Sequence, residues 1–121
     1  MGLKSIEIIS IPVNDQDKSL AFYRDVLGFQ VAMDMPYEEN KRWIQLVAKV
    51  GDTTSISLMQ STIVFTMGSI HGIYLATDDI VEYREKIMAA GVAVADIMDT
   101  PWGKFADLKD PDGNGLSLHQ M

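Results

Sequence analysis

Ile56-Ser57-Leu58-Met59-Gln60 returns 60 residues later as Leu116-Ser117-Leu118-His119-Gln120, and the reading of this pair decides the fold. Large aliphatic residues alternating with small or polar ones mark a β-strand with one face buried. Recurrence at a fixed offset marks a duplicated unit. Working outward, Ser5-Ile6 matches Ser69-Ile70 at an offset of 64, and Gly28 matches Gly91 at 63. The small drift needs only short deletions in loops.

Each half reads as β-α-β-β-β. In the first, the β-branched run over 5–13 ends in Asn14-Asp15 turn chemistry, as a strand should. Asp15 or Asp17 can cap a helix through Leu20, Phe22, Tyr23, Val26 and Leu27, which Gly28 would end in a left-handed conformation. Strands are then expected over 29–35, 41–50 and 53–60, with Pro36-Tyr37-Glu38-Glu39-Asn40 as a loop. The second half repeats the order. A strand over 69–77 precedes a capping box of Asp79 and Glu82, a helix through Ala90 and a stop at Gly91. Strands follow over 92–98, 104–109 and 115–120, the last after the turn Asp110-Pro111-Asp112-Gly113. The fold class is therefore α+β: one domain, 1–121, of two tandem βαβββ modules over about 4–60 and 69–121, whose mixed sheets curve around a cup-shaped pocket. The connection 61–68 is too apolar for a solvated linker, so Ile63, Val64, Phe65 and Met67 are expected to be buried over the pocket or in a dimer interface.

Composition narrows the function classes. A chain of 121 residues with 47% hydrophobic and 22% charged residues has the balance of a globular domain, and no apolar run reaches the length of a membrane span. Seventeen acidic against 10 basic residues give a net charge of −7, which opposes binding to phosphate backbones. Nucleic acid and membrane are thus poor partners. The absence of cysteine removes thiolate nucleophiles and zinc–thiolate sites. With no secretory pattern in Met1-Gly2-Leu3-Lys4-Ser5, it also fits a cytoplasmic location.

Splitting the strands by parity separates two kinds of surface. One set, Ile9, Ile11, Val13, Ile44, Leu46, Ile56, Leu58, Ile73, Leu75, Ala106, Leu108, Leu116 and Leu118, is aliphatic and should lie under the helices. The other, Ile8, Ser10, Trp43, Gln45, Ser57, Met59, Gly72, Tyr74, Phe105, Asp107, Ser117 and His119, mixes aromatic, small and neutral polar residues. A solvated sheet face would carry Lys, Glu and Thr; this second set is the composition of a concave small-molecule site. Trp102 is expected beside it. Trp43, Tyr74, Phe105 and Trp102 offer stacking surfaces for a planar ligand. Of the methionines, Met59 is expected in the pocket, whereas Met33, Met35, Met67 and Met98 suit core gap-filling. His119, with Asp107 across from it to set its tautomer, is the candidate catalytic pair, against the plainer reading of a hydrogen-bonded wall residue.

The run Ile11-Pro12-Val13-Asn14-Asp15-Gln16-Asp17-Lys18-Ser19-Leu20-Ala21-Phe22-Tyr23-Arg24-Asp25-Val26-Leu27-Gly28-Phe29, with Thr77-Asp78-Asp79-Ile80, Pro101-Trp102-Gly103 and Asp110-Pro111-Asp112-Gly113-Asn114, resembles the vicinal oxygen chelate superfamily of glyoxalases, extradiol dioxygenases and bleomycin resistance proteins. The resemblance covers nearly the whole chain and speaks to fold more than to reaction. It implies metal ligands at Ile8, Gly72, Ser57 and Ser117, and none of these is a usual ligand for a divalent cation. No metal and no cofactor are expected. A rival ligand set of Glu7, His71 and His119 is disfavoured because parity puts the first two on the aliphatic side. By resemblance to the drug-binding members, the expected function is metal-free sequestration of a small aromatic or amphipathic molecule, the acidic balance suiting a cationic guest. The alternatives are a lyase, isomerase or dioxygenase of the same superfamily acting on a carbonyl or hydroxy compound, and a regulatory module with no small ligand. Family members commonly dimerise, which implies a homodimer.

Overall fold

Alternating apolar segments that cannot bury a face alone are paired into two four-stranded sheets in the computed structural model, which describes residues 2–121. Met1, part of the N-terminal reading above, lies outside them. The chain divides into two compact units, Met1–Met67 and Gly68–Met121. Unit one contains β1 (Ile8–Val13), α1 (Gln16–Ala21), β2 (Gln30–Glu38), β3 (Lys41–Val47) and β4 (Ser55–Gln60). Unit two contains β5 (Ile73–Ala76), α2 (Ile80–Ala89), β6 (Met98–Thr100), β7 (Gly103–Lys109) and β8 (Gly115–Gln120). The strand orders β1-β4-β3-β2 and β5-β8-β7-β6 match position for position, and in each sheet the first strand runs parallel to the last. The fold is α+β, with two open mixed sheets from two βαβββ modules.

Helix starts follow the expected caps. Asp15 accepts the Lys18 N–H at 3.1 Å and Asp79 the Glu82 N–H at 3.1 Å. The first helix departs from a regular α-helix: beyond Ala21 it widens into a π-helical segment, Phe22–Val26, closed by Leu27 N–H to the Phe22 carbonyl at 3.0 Å. The wider turn buries Phe22 and Tyr23 together, edge to face at 5.2 Å. Gln16 fastens α1 to its sheet, donating to the carbonyls of Arg42 at 2.7 Å and Leu58 at 2.8 Å and accepting the Arg42 N–H at 3.1 Å. In unit two, Gln120 does a related job by accepting the Ile80 N–H at 2.7 Å.

Ile11, Val13, Ile44, Leu46, Ile56 and Leu58 are buried in unit one, and Ala106, Leu108, Leu116 and Leu118 in unit two, where α2 packs on β7 and β8. The aliphatic face is not buried throughout. Ile9 on β1 is exposed, and Ile73 and Leu75 on β5 are half-buried.

Beyond strand ends that are shorter by two or three residues, such as β1 starting at Ile8 and β3 ending at Val47, three segments differ from expectation. The strand β2 runs through Pro36, expected in a loop; β2 is an edge strand and Pro36 precedes a bulge, where a missing N–H breaks no ladder. The strand β5 begins only at Ile73, because Gly72 takes φ +86 and interrupts the extended chain. Only Val94, by a single bridge to Leu108, and Met98–Thr100 pair in the stretch expected to form one strand from 92. There Arg84 binds the carbonyls of Ala95 at 2.8 Å and Val94 at 3.1 Å. In the connection, Ile63 and Val64 are 94% and 91% exposed in the single chain.

Candidate functional site

Ladder partners share a face, so the pairings show which mixed-set residues stand together within each unit. In unit one, Ser10 and Ser57 are partners and their hydroxyls bond at 2.8 Å. Ile8 pairs with Ser55, and Gln45 with Ser57. Trp43 donates its indole N–H to Gln45 Oε1 at 3.0 Å, and Gln45 Nε2 donates to Ser55 Oγ at 2.9 Å. This relay satisfies the polar edge of the indole and leaves its ring faces for contact.

In unit two, Tyr74, Ser117 and Asp107 lie side by side across β5, β8 and β7. The Ser117 hydroxyl donates to Asp107 Oδ1 at 2.8 Å. Tyr74 meets Phe105 edge to face at 5.8 Å, and Phe105 stacks on His119 at 4.5 Å with 20° between planes. These rings form one aromatic ladder.

The expected partnership of His119 with Asp107 gives way to another arrangement. His119 pairs across the sheet with Phe105, while Asp107 pairs with Ser117. His119 Nε2 lies 2.9 Å from the Trp102 carbonyl. A carbonyl can only accept, so Nε2 carries the proton and the backbone at Trp102, not a carboxylate, sets the tautomer. Trp102 itself is exposed on the β6–β7 turn, which Thr100 Oγ1 holds by donating to the Gly103 carbonyl at 2.7 Å and accepting the Trp102 N–H at 3.1 Å.

Parity misplaced His71. The left-handed Gly72 turns the chain, so the imidazole lies over Gly115, with Nδ1 2.6 Å from where a Gly115 Cβ would stand. That is the side of Ser117 and Asp107. A Gly115→Ala substitution should therefore push the ring aside while changing the melting temperature by less than about 4 °C, since the obstacle is the end of a movable side chain. Calorimetry and the His71 ring resonances would check both halves of that expectation.

Methionine was misjudged as well. A bulge between Val31 and Met33 brings Met33 opposite Gln45 and Met35 opposite Trp43, and Met98 lies opposite Phe105. All three are exposed on the mixed faces instead of filling core gaps. The bulge, which sequence alternation does not reveal, sets the register of Met33 and Met35. Met67 is exposed too, and Met59 is half-buried.

The positions implied for a metal do not fit one. Ile8 offers hydrocarbon and Gly72 no side chain, while Ser57 is hydrogen-bonded to Ser10 and Ser117 to Asp107. Among the described residues no three His, Cys, Asp or Glu side chains gather into a group suited to a metal ion, the rival set included. Nor is any helix among them long and apolar enough to cross a membrane.

Comparison with known proteins gives a consistent picture. Residues 5–118 match the family described as Glyoxalase/Bleomycin resistance protein/Dioxygenase superfamily. The crystal structure of TnmS3, an antibiotic binding protein from Streptomyces sp. CB03234, is 37% identical and superposes with a TM-score of 0.91 over 99% of this chain and 98% of that one. A glyoxalase/bleomycin resistance protein from the same Streptomyces is 38% identical, with a TM-score of 0.84 over 96% of this chain and all 100% of its own. The uncharacterized protein YetH of Bacillus subtilis (strain 168) is 28% identical over 98% of this chain and 99% of its own.

Proposed function

The chain belongs to the glyoxalase/bleomycin resistance protein/dioxygenase superfamily, and from that premise we propose that it is a metal-free binding protein which sequesters a small aromatic or amphipathic molecule on its mixed sheet faces. The observation that carries this reading is the replacement of ligand chemistry by contact chemistry. Where metal-dependent relatives would need charged or imidazole ligands, this chain has Ile8, Gly72 and two serines engaged with Ser10 and Asp107. On the mixed face of unit one stands Trp43 with Met35 as its ladder neighbour, and on that of unit two stand Tyr74 and Phe105 with Met98 as the ladder neighbour of Phe105. Thioethers and aromatic faces are polarisable and adapt to flat guests. The likeness to an antibiotic binding protein at 37% identity favours the same conclusion.

Ile8, Ser10, Gln45, Ser57 and Met59 complete the proposed contact surface of unit one, and Gly72, Ser117 and Trp102 that of unit two, His119 acting there as a stacked wall residue. The protein works in this reading as a cytoplasmic homodimer, with the exposed Ile63 and Val64 covered in the assembly.

Protein stripped with EDTA should bind 9-aminoacridine, followed by tryptophan fluorescence. Trp43→Ala and Phe105→Ala should each weaken binding by roughly tenfold, as loss of an aromatic partner of about 0.5–1.5 kcal/mol beyond area burial implies. Binding that appears only after a divalent cation is restored, or that ignores both substitutions, would overturn the proposal.

A further inference from the structure

We infer that the mixed face of unit two carries a subsite for a positively charged, hydrogen-donating group on an aromatic guest, with the Asp107 carboxylate as its receptor. The inference rests on the binding reading above and adds the polarity of the guest to it.

The two units hold equivalent ladder positions with different chemistry. Gln45 pairs with Ser57 in unit one just as Asp107 pairs with Ser117 in unit two. Gln45 is engaged at both ends of its amide by its own neighbours, accepting from Trp43 and donating to Ser55. Asp107 is not. Ser117 donates to Oδ1 at 2.8 Å, which fixes the plane of the carboxylate, and Asp107 enters no ion pair among the described residues. Its side chain is exposed and borders a hollow of about 400 Å³ lined also by His71, Tyr74, Lys109, Gly115 and Ser117.

The neighbouring groups make a donor the fitting occupant. A carboxylate accepts only, so a guest group placed on Asp107 must bring a hydrogen. His119 is engaged with Phe105 and the Trp102 carbonyl and does not compete for the same place. Lys109, two residues along the same face, is exposed and carries its charge on a long stem that water can hold. An exposed carboxylate in water attracts a cation weakly, but a guest lying against Tyr74 and Phe105 would exclude water from the pair and strengthen it. The rest of the face supplies ring contacts, so the ligand class is a planar aromatic amine or ammonium.

Two probes with one ring system separate the possibilities: 9-aminoacridine, a cation, and acridine-9-carboxylate, an anion. The native chain should bind the cation at least tenfold more tightly. Asp107→Asn should remove at least fivefold of the cation's affinity and leave the anion's unchanged or stronger. Asp99→Asn, which makes the same change of charge elsewhere in unit two, should move neither by more than twofold. Equal effects of the two substitutions would mean that the preference comes from the net charge of −7, and would overturn the subsite. Equal affinity for both probes, with Phe105→Ala still harmful, would overturn the subsite and leave the binding function standing. Failure of both probes to bind would remove the two together.

Discussion

Asn114→Ala is expected to lower the unfolding free energy by about 3 kcal/mol. Asn114 is fully buried. Its Oδ1 accepts the N–H groups of Gly68 at 3.0 Å and Ile70 at 3.3 Å, and its Nδ2 donates to Asp110 Oδ2 at 2.9 Å. Asp110, itself buried, uses Oδ1 to hold the N–H groups of Asp112 and Asn114, both at 2.9 Å. The Asp-Pro-Asp-Gly-Asn turn is thus a hub that ties the entry to β8 to the chain segment leading into β5. Alanine would leave two backbone donors without their acceptor and withdraw a donor from a buried carboxylate. Groups orphaned in this part-buried turn bear a desolvation penalty that no partner offsets, which is why the effect exceeds that of an ordinary surface hydrogen bond. Urea unfolding followed by circular dichroism measures it, and a loss below about 1 kcal/mol would show that water replaces the asparagine.

Gly103→Ala should be comparably harmful, again by about 3 kcal/mol, for a backbone reason. Gly103 takes φ +116, and a Cβ there would lie 2.5 Å from the Gln120 carbonyl oxygen and 2.8 Å from His119 Nε2. The first obstacle is backbone and cannot swing away. Relief requires the β6–β7 turn to move off the end of β8, which would also break the bond from His119 to Trp102. The expected signature is double: a lower midpoint in urea, and loss of the downfield-shifted Nε2 proton of His119. A stable Gly103→Ala protein that keeps that resonance would refute the geometry of this turn.

The duplicated architecture was legible because it depends on features spread along the whole chain. Three offsets between matching segments, two aspartate caps and two glycines after the helices each require the same βαβββ order, and the sheets have it twice. The aliphatic core was legible for the same reason, since parity survives along an unbroken strand. Where parity failed, a local backbone event intervened. The left-handed Gly72 moved His71 to the other face, and the bulge after Val31 sets Met33 and Met35, expected in core gaps for their flexibility and not by parity, opposite Gln45 and Trp43. A single glycine or one inserted residue inverts every alternation beyond it, and composition leaves no trace of such a step. The partner of His119 was missed differently. A main-chain carbonyl, that of Trp102, took the place expected for Asp107, and every residue has such a carbonyl, so side-chain types could not single it out.

Metal-free binding depends most directly on which surface a guest touches. Amide and side-chain shift mapping of the EDTA-treated protein, titrated with 9-aminoacridine, addresses that in one series of spectra. Perturbations should gather on Trp43, Tyr74, Phe105, His119 and the methyls of Met35 and Met98, with no cation added. Shifts confined to α1 and α2, or none until a divalent cation is supplied, would contradict a contact-built, metal-free binding face.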